Sequence, residues 1–361
     1  MADRAQVLVV EAPGRVRLVP DDEPGPLPDD GLDVRTRYSG LSAGTDLSWV
    51  KGTNPMLHHA WDPELGLFDP DRPGTGYPVR KVGYMQVGEV VAAGPAAPHT
   101  VGAHVAMTYG HRTAHRADPA RERIVALPPD LDPVLGIYAA HMGPICANGV
   151  LHAAAEEGSD ALGGGVVDRT VAVVGAGVVG LLVGLFAATL GAASVTVLDP
   201  TAERRAVAGA LGLATRDPGD VSDLKRGWRH GPGDHGADVV FQCRGRSAAL
   251  ALALRLLRPQ GTVIDLAFYA DGADAVRLGE EFHHNGLGVR CAQIGRVPRS
   301  LRGAWDRDRL SAATLDLLAA RGADLLAHVI TDRVPLAAAP EHLTALADGR
   351  RPVGVQTVFT A

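Results

Sequence analysis

Short apolar runs separated by glycine and proline clusters open the chain, and longer apolar segments bounded by glycine fill its middle. QVLVV (6–10), RVRLV (15–19) and LDVRTRYSG (32–40) read as strands, broken by DDEPGPLPDDG (21–31), whose three prolines forbid ladder pairing. VGYMQVGEVVAAG (82–94), VGAHVAMT (101–108) and ERIVALP (122–128) continue the strand pattern, so the first domain is expected to be β-rich and partly barrel-like. Between 53 and 81 the chain holds Pro, Gly, His and aromatic residues with little periodicity. A loop of that length predicts a lid or a binding loop. A helix-like segment, 132–154, leads to a glycine-rich hinge, 158–165.

Beyond the hinge the period changes. Strands at 171–174, 194–198, 237–243, 262–268 and 287–295 alternate with helices at 178–190, 202–213 and 247–257. Such alternation predicts a parallel sheet covered on both faces. An amphipathic helix near 310–321, the run HVITDRVPL (328–336), a short helix and a closing strand, VGVQTVF (353–359), return to the style of the opening. The expected fold class is therefore α/β, a doubly wound parallel sheet domain of the Rossmann type inserted in a β-rich domain. The expected segments are 1–150, 151–296 and 297–361, the first and third forming one domain.

The inserted domain carries the clearest chemistry. Gly175, Gly177 and Gly180 stand in the spacing G-x-G-x-x-G between a strand and a helix, and Asp199 follows 19 residues past Gly180 at the end of the next strand. In that context the glycines allow a tight turn, backbone approach to a pyrophosphate and close packing of helix on strand. The N–H groups at the helix start, Val178 and Val179, would hold the pyrophosphate at the positive end of the helix. A carboxylate at Asp199 can accept ribose hydroxyls and repels a 2′-phosphate, so the expected cofactor is NAD.

Composition narrows the remainder. The 361 residues are 46% hydrophobic, enough for two cores, and no apolar run is long enough to span a membrane. A net charge of −6 without a Lys/Arg cluster excludes a nucleic-acid footprint. The opening residues lack a signal-peptide pattern, and three scattered cysteines argue against a disulfide framework, so a reducing cytoplasm is expected. The partner is then a small-molecule substrate, with no membrane and no nucleic acid.

The order of parts resembles the medium-chain dehydrogenase/reductase superfamily, of the zinc alcohol dehydrogenase type. The resemblance rests on SGLSAGTD (39–46), VGYMQVGEVVAAG, VAVVGAGVVG (171–180) with Asp199, and GADVVFQCRG (236–245). LGEEFHHNGLGVRCAQIG (278–295) with RGAWDRDRL (302–310) is similar to a branch containing glycoside 3-dehydrogenases. SAGTD and GYM are similar to the bacteriochlorophyllide dehydrogenase branch. The resemblance implies a GroES-like β-rich catalytic domain and a homodimer or homotetramer. It places Arg204, in D-x-x-x-x-R spacing from Asp199, near the adenosine. It also brings the backbone at Leu266, Ala292 and Ile294 to the nicotinamide carboxamide.

The family's catalytic zinc does not carry over. Its ligand positions fall on Ala43, Tyr84 and Ile145, and the Glu after the family's His is Met85. The neighbouring Cys146 is one thiol where zinc needs at least three ligands. The four-cysteine structural lobe is missing, and His111 and His115 are expected to be solvated on a β-connection, so no metal site is expected. General acid–base groups must then polarise the substrate oxygen. Tyr84 either points its hydroxyl at the reacting carbon, with Lys81 favouring its ionised form, or merely fills the vacated metal hole. Thr45 matches the family's relay hydroxyl. Asp46, with no metal-bound His to orient, either binds substrate or caps a helix. His283 and His284 either reach the substrate pocket, often the partner subunit's, or are surface residues in a polar loop. His141, His58, His59 and Trp61 are further candidates.

These readings predict a zinc-independent, NAD-dependent dehydrogenase for a secondary alcohol of a polyol, glycoside or cyclitol-like compound. The alternatives are a zinc-free enone or quinone reductase, disfavoured by Asp199, and a non-catalytic NAD-binding redox sensor.

Overall fold

The structure, a computed structural model, describes residues 4–270 and 272–361. The chain forms two compact units, one made of the residues up to His141 with Ile330–Ala361, the other Met142–Val329. The divisions read from sequence at 150/151 and 296/297 thus fall at 141/142 and 329/330. Packing explains both shifts. The helix Met142–Glu156 lies against the helices Val178–Thr189 and Arg307–Asp324, so all three belong to the second unit.

In the first unit the strands run in the order Ile330–Pro335, Gln356–Thr360, Leu32–Gly40, Gln86–Ala93, His104–Met107, Val125–Ala126, with Ala114–Ala117 also pairing with Leu32–Gly40. Leu32, Val34 and Thr36 point inward while Arg35 and Arg37 are exposed, the period-two pattern of a half-buried strand. The register against Gln86–Ala93 shifts between Thr36 and Tyr38, and beyond the shift Ser39 and Gly40 are buried. This bulge turns Ser39 toward the site described below. The ribbon Gln6–Ala12 with Arg15–Pro20 shares one core with the C-terminal elements: Leu8 and Val10 cluster with Leu343, Leu346 and Phe359.

Two local expectations change. The stretch 53–81 is not structureless, because His59–Asp62 and Leu67–Pro73 pair as an antiparallel hairpin. Hardly any of its side chains is buried, which removes the alternation that would announce strands, and Pro70 and Pro73 lie in the second strand. The strand expected from 82 begins only at Gln86, because Gly83 has φ +91° and bends the chain just before Tyr84.

The second unit holds six parallel strands in the order Ala214–Arg216, Ser194–Leu198, Thr170–Val174, Val239–Gln242, Thr262–Asp265, Gly288–Cys291. The order reverses between Thr170–Val174 and Val239–Gln242, which defines the doubly wound fold and its ligand-binding crevice at the strand C-termini. Its sheet core reads as near-continuous Val, Leu and Ala, as burial on both faces requires. Among the described residues no helix is long and apolar enough to cross a membrane.

His342, on the helix Ala339–Ala347 of the first unit, is buried with no hydrogen-bond partner at either ring nitrogen, edge-on to Phe359 at 6.0 Å. Burial, and then the charge of Arg351, lower its pKa, while Asp332 acts the other way. The unfolded chain takes up the proton near pH 6.5, before the folded one does. The neutral ring therefore costs nothing above that pH, and stability is lost as pH falls below it. His342→Leu is expected to melt at temperatures closer together at pH 7.5 and 5.5 than wild type does. An equal fall in both proteins would exclude His342 as a source of acid sensitivity.

Candidate active site

At the end of Thr170–Val174, Gly175 takes φ +106°, a conformation costly for any residue with a Cβ. A Cβ on Gly180 would lie 1.8 Å from the Gly175 carbonyl oxygen, so helix and turn meet backbone to backbone. Gly177 is the N-cap of Val178–Thr189, in extended conformation and without a capping side chain. A Cβ there would meet nothing nearer than Arg204 Nη1, at 3.8 Å. Open space before uncapped helix N–H groups is a cradle for a pyrophosphate, so the residues present fit a dinucleotide.

Asp199 is 2% exposed. Its Oδ2 accepts the Ala176 N–H (2.9 Å) and its Oδ1 the Thr201 N–H (2.8 Å). The carboxylate therefore clamps the glycine turn. Arg205 donates to the Asp199 carbonyl (2.6 Å) and to Asp217 (3.1 Å). Leu266 and Ala292 follow the C-termini of adjacent parallel strands, donating to the Gln242 and Asp265 carbonyls, and Ile294 lies half-buried two residues on. Sequence reasoning missed their neighbour Tyr269, which donates to Asp265 Oδ2 (2.9 Å) and accepts from Gln242 Nε2 (2.9 Å). Burial raises the pKa of Asp265 against its bonds from the Ala267 N–H and Tyr269, and burial likewise raises Tyr269.

The first unit carries the second constellation. Ser42 is the N-cap of Ala43–Lys51, and its Oγ bonds to the half-buried Tyr84 hydroxyl. The Tyr84 ring meets His141 edge-on, with centroids 4.5 Å apart. Asp46 has no exposed surface, and its Oδ2 accepts the Ser42 N–H at 2.8 Å. The capping account thus describes Asp46 in part, from inside the helix and reaching back to its cap. Asp46, without a metal-bound His to orient, has another imidazole beside it: His111 Nε2 lies 3.3 Å from the same oxygen. With the tautomer assigned from that carboxylate, Ser39 donates to His111 Nδ1 (2.6 Å) and in turn accepts from Gln86 Nε2 (3.0 Å). His111 is accordingly buried, not solvated. His115 stacks on Tyr109 at 4.6 Å and bonds to Glu122 at 2.9 Å.

The other candidates lie apart. Thr45 is half-buried, and its carbonyl accepts from Ser48. Lys81 is exposed, and its charge acts on Glu122. Burial pushes Glu122 up, but bonds from His115 and the Asp118 N–H, with the charges of His115 and Lys81, hold it below its ordinary value. His283 and His284 are exposed on the second unit, ring against ring at 5.5 Å, beside a turn in which Gly286 has positive φ. Exposure on a single chain fits both readings of the pair, the polar surface loop and the partner subunit's pocket. His58 bonds to the Gly52 carbonyl, while His59 and Trp61 sit on the hairpin, where Trp61 meets Phe68 edge-on at 5.0 Å.

The donor set does not fit the family's zinc. Ala43 and Ile145 offer hydrocarbon, and the fully buried Cys146 points its thiol at the Val179 carbonyl, with burial raising its pKa. Among the described residues no group of three or more His, Cys, Asp or Glu is placed to hold a metal. No step below runs through one.

The zinc-binding dehydrogenase family matches residues 178–307. D-guloside 3-dehydrogenase of Escherichia coli K12 is 26% identical over 324 residues, 86% of this chain and 87% of that one. A zinc-binding dehydrogenase of Sinorhizobium meliloti 1021 bound to NADP superposes with TM-score 0.71 at 24% identity, covering 99% of both chains. Galactitol-1-phosphate dehydrogenase of E. coli gives 0.73 at 18%, covering 99% and 100%. The fold is that of an alcohol dehydrogenase-like oxidoreductase. The chain is thus similar, over nearly its whole length, to proteins of the medium-chain dehydrogenase/reductase superfamily.

Gly180→Ala is expected to destabilise the protein by about 1–3 kcal/mol and to weaken NADH binding at least tenfold, since helix and turn must separate. Denaturant unfolding and NADH fluorescence titration check both. Wild-type values in both would show that the contact is not what sets the turn.

Proposed function

We propose that the protein is an NAD-dependent dehydrogenase that oxidises a secondary alcohol of a polyol, glycoside or cyclitol-like compound, or reduces the ketone, without zinc. The observation that carries this reading is the Tyr84 hydroxyl, half-buried and bonded to Ser42, at the position where the family sequence pattern has a metal-binding His. The name of the E. coli relative, a guloside 3-dehydrogenase, supports a sugar-like alcohol.

A bound nicotinamide supplies the hydride acceptor. The chain supplies the remainder. Val178 and Val179 offer N–H groups to the pyrophosphate, and Asp199 sets a negative charge beneath the adenosine end. With Tyr84 ionised, the substrate hydroxyl would give its proton to the phenolate oxygen as the carbon–oxygen double bond forms and the hydride leaves the carbon for the nicotinamide, while Ser42 donates to that oxygen and the edge-on His141 limits the ring's freedom. In the reverse direction Tyr84 returns the proton to the carbonyl oxygen. The exposed edge strand Gly288–Cys291, with Val289 at the surface, supports self-association as at least a dimer.

The test is NADH formation against a panel of methyl glycosides, free sugars, inositols, simple secondary alcohols and, in reverse, enones, with metal analysis alongside. Oxidation of polyhydroxylated alcohols without bound zinc is expected. Reduction of enones alone would make the protein an enone reductase, and no turnover would make it a binding protein. Tyr84→Phe is expected to lower kcat about 100-fold or more. NADH is expected to bind at least tenfold more tightly than NADPH, and equal affinities would remove Asp199 as the discriminator.

A further inference from the structure

The proposed acid–base residue is held from two sides by groups of which only Ser42 touches the reacting oxygen. On one side, Asp46 Oδ2 accepts the Ser42 N–H, and Ser42 Oγ bonds to the Tyr84 hydroxyl. On the other, a Cβ on Gly83 would lie 2.7 Å from two atoms of the His111 ring, so the bend that carries Tyr84 rests on the face of that imidazole. Both supports meet, because His111 Nε2 bonds to the same Asp46 oxygen at 3.3 Å. The pair is locked from behind as well. Ser39 fixes His111 Nδ1, Gln86 fixes Ser39, the Gly110 N–H fixes Gln86 Oε1 (3.1 Å), and Phe359 meets the imidazole edge-on at 5.1 Å.

Asp46, His111, Ser39 and Gln86 are each buried, at most 1% exposed. None can reach bulk substrate, yet together they keep a carboxylate and an imidazole inside a β-rich core, an arrangement that packed hydrocarbon would outdo if stability were the only end. Asp46 Oδ1 is moreover left without a hydrogen-bond partner. A buried carboxylate oxygen without a donor is costly, and it persists only where the other oxygen's direction is set by its surroundings.

We infer that Asp46 and His111 form a buried mount that aims the Tyr84 hydroxyl, through Ser42 on one side and Gly83 on the other. Asp46 and His111 are positioning residues, and Ser42 is the one member that touches the reacting oxygen. The inference rests on the acid–base role of Tyr84 and adds to it the residues that set its geometry. A hydroxyl displaced by about 1 Å from its working position loses on the order of a hundredfold in rate, so the mount is expected to act on kcat and not on KM.

The experiment is a double-mutant cycle with the fastest-oxidised alcohol of the panel above as probe. Asp46→Asn keeps shape and is expected to lower kcat about 10- to 100-fold with KM little changed. In a Tyr84→Phe background the same substitution is expected to change kcat less than about threefold, because a mount has nothing left to aim. His111→Gln, which keeps an N–H toward Asp46, is expected to retain most activity where His111→Leu loses it. Ser42→Ala is expected to move the acid limb of the kcat/KM pH profile upward by about one pH unit, since the phenolate loses a donor. Equal losses from Asp46→Asn with and without Tyr84 would overturn the inference, as would equal losses from the Gln and Leu variants or an unmoved limb in Ser42→Ala. Near-normal turnover by Tyr84→Phe would instead remove the acid–base reading and the mount with it. Should His111→Leu fail to fold, the cycle with Asp46→Asn and the Ser42→Ala profile decide alone.

Discussion

A carboxyl group with no exposed surface has to find its hydrogen bonds among its neighbours, and in the first unit that requirement falls on Asp46. Its partners come from three separate parts of the chain: the cap of its own helix, an imidazole on the connection after His104–Met107 and, through that ring, the bulged end of Leu32–Gly40. Their positions are mutually dependent. The bulge that turns Ser39 inward, the left-handed Gly83 and the closing strand that brings Phe359 against His111 all converge on the same few ångströms.

The second unit answers a different constraint with a similar economy of means. There a carboxylate also serves the backbone, Asp199 accepting the Ala176 N–H inside the glycine turn and the Thr201 N–H at the cap of Ala202–Ala210. One buried side chain thereby ties the turn after one strand to the helix start after the next. The two units thus share a device, a buried acid whose backbone hydrogen bonds organise a helix N-terminus, although one helix lies in a cofactor fold and the other in a β-rich one.

How much of this could be read from the residues alone differed with the range of the interaction. The parallel sheet follows from local period, since Val171 to Val174 and Val239 to Gln242 must be buried on both faces. The glycine turn was legible for the same reason, because all its parts lie within thirty residues or so of one another. Tyr84 and Asp46 drew attention through their positions in a known pattern, but their partners did not. His111 is 65 residues from Asp46 and Ser42 is 42 from Tyr84, and no periodicity reports a contact of that span. The hairpin at 59–73 escaped notice because it buries too little to impose alternation. His283 and His284, conspicuous as a pair in the sequence, owe their conspicuousness to composition, and the turn at Gly286 leaves them exposed.

The closing strand Gln356–Thr360 is an interior member of the first unit's sheet, inserted between Ile330–Pro335 and Leu32–Gly40, and it carries Phe359 into the core. During synthesis the first 141 residues emerge long before that strand exists, whereas Met142–Val329 contains every strand of its own sheet. The cofactor unit can therefore close while translation continues, and the unit that begins the chain must wait for its end. Until residue 356 is made, Tyr38 to Gly40 at the end of Leu32–Gly40 lack a neighbour on that side, the kind of open edge that chaperones cover and neighbouring chains invade.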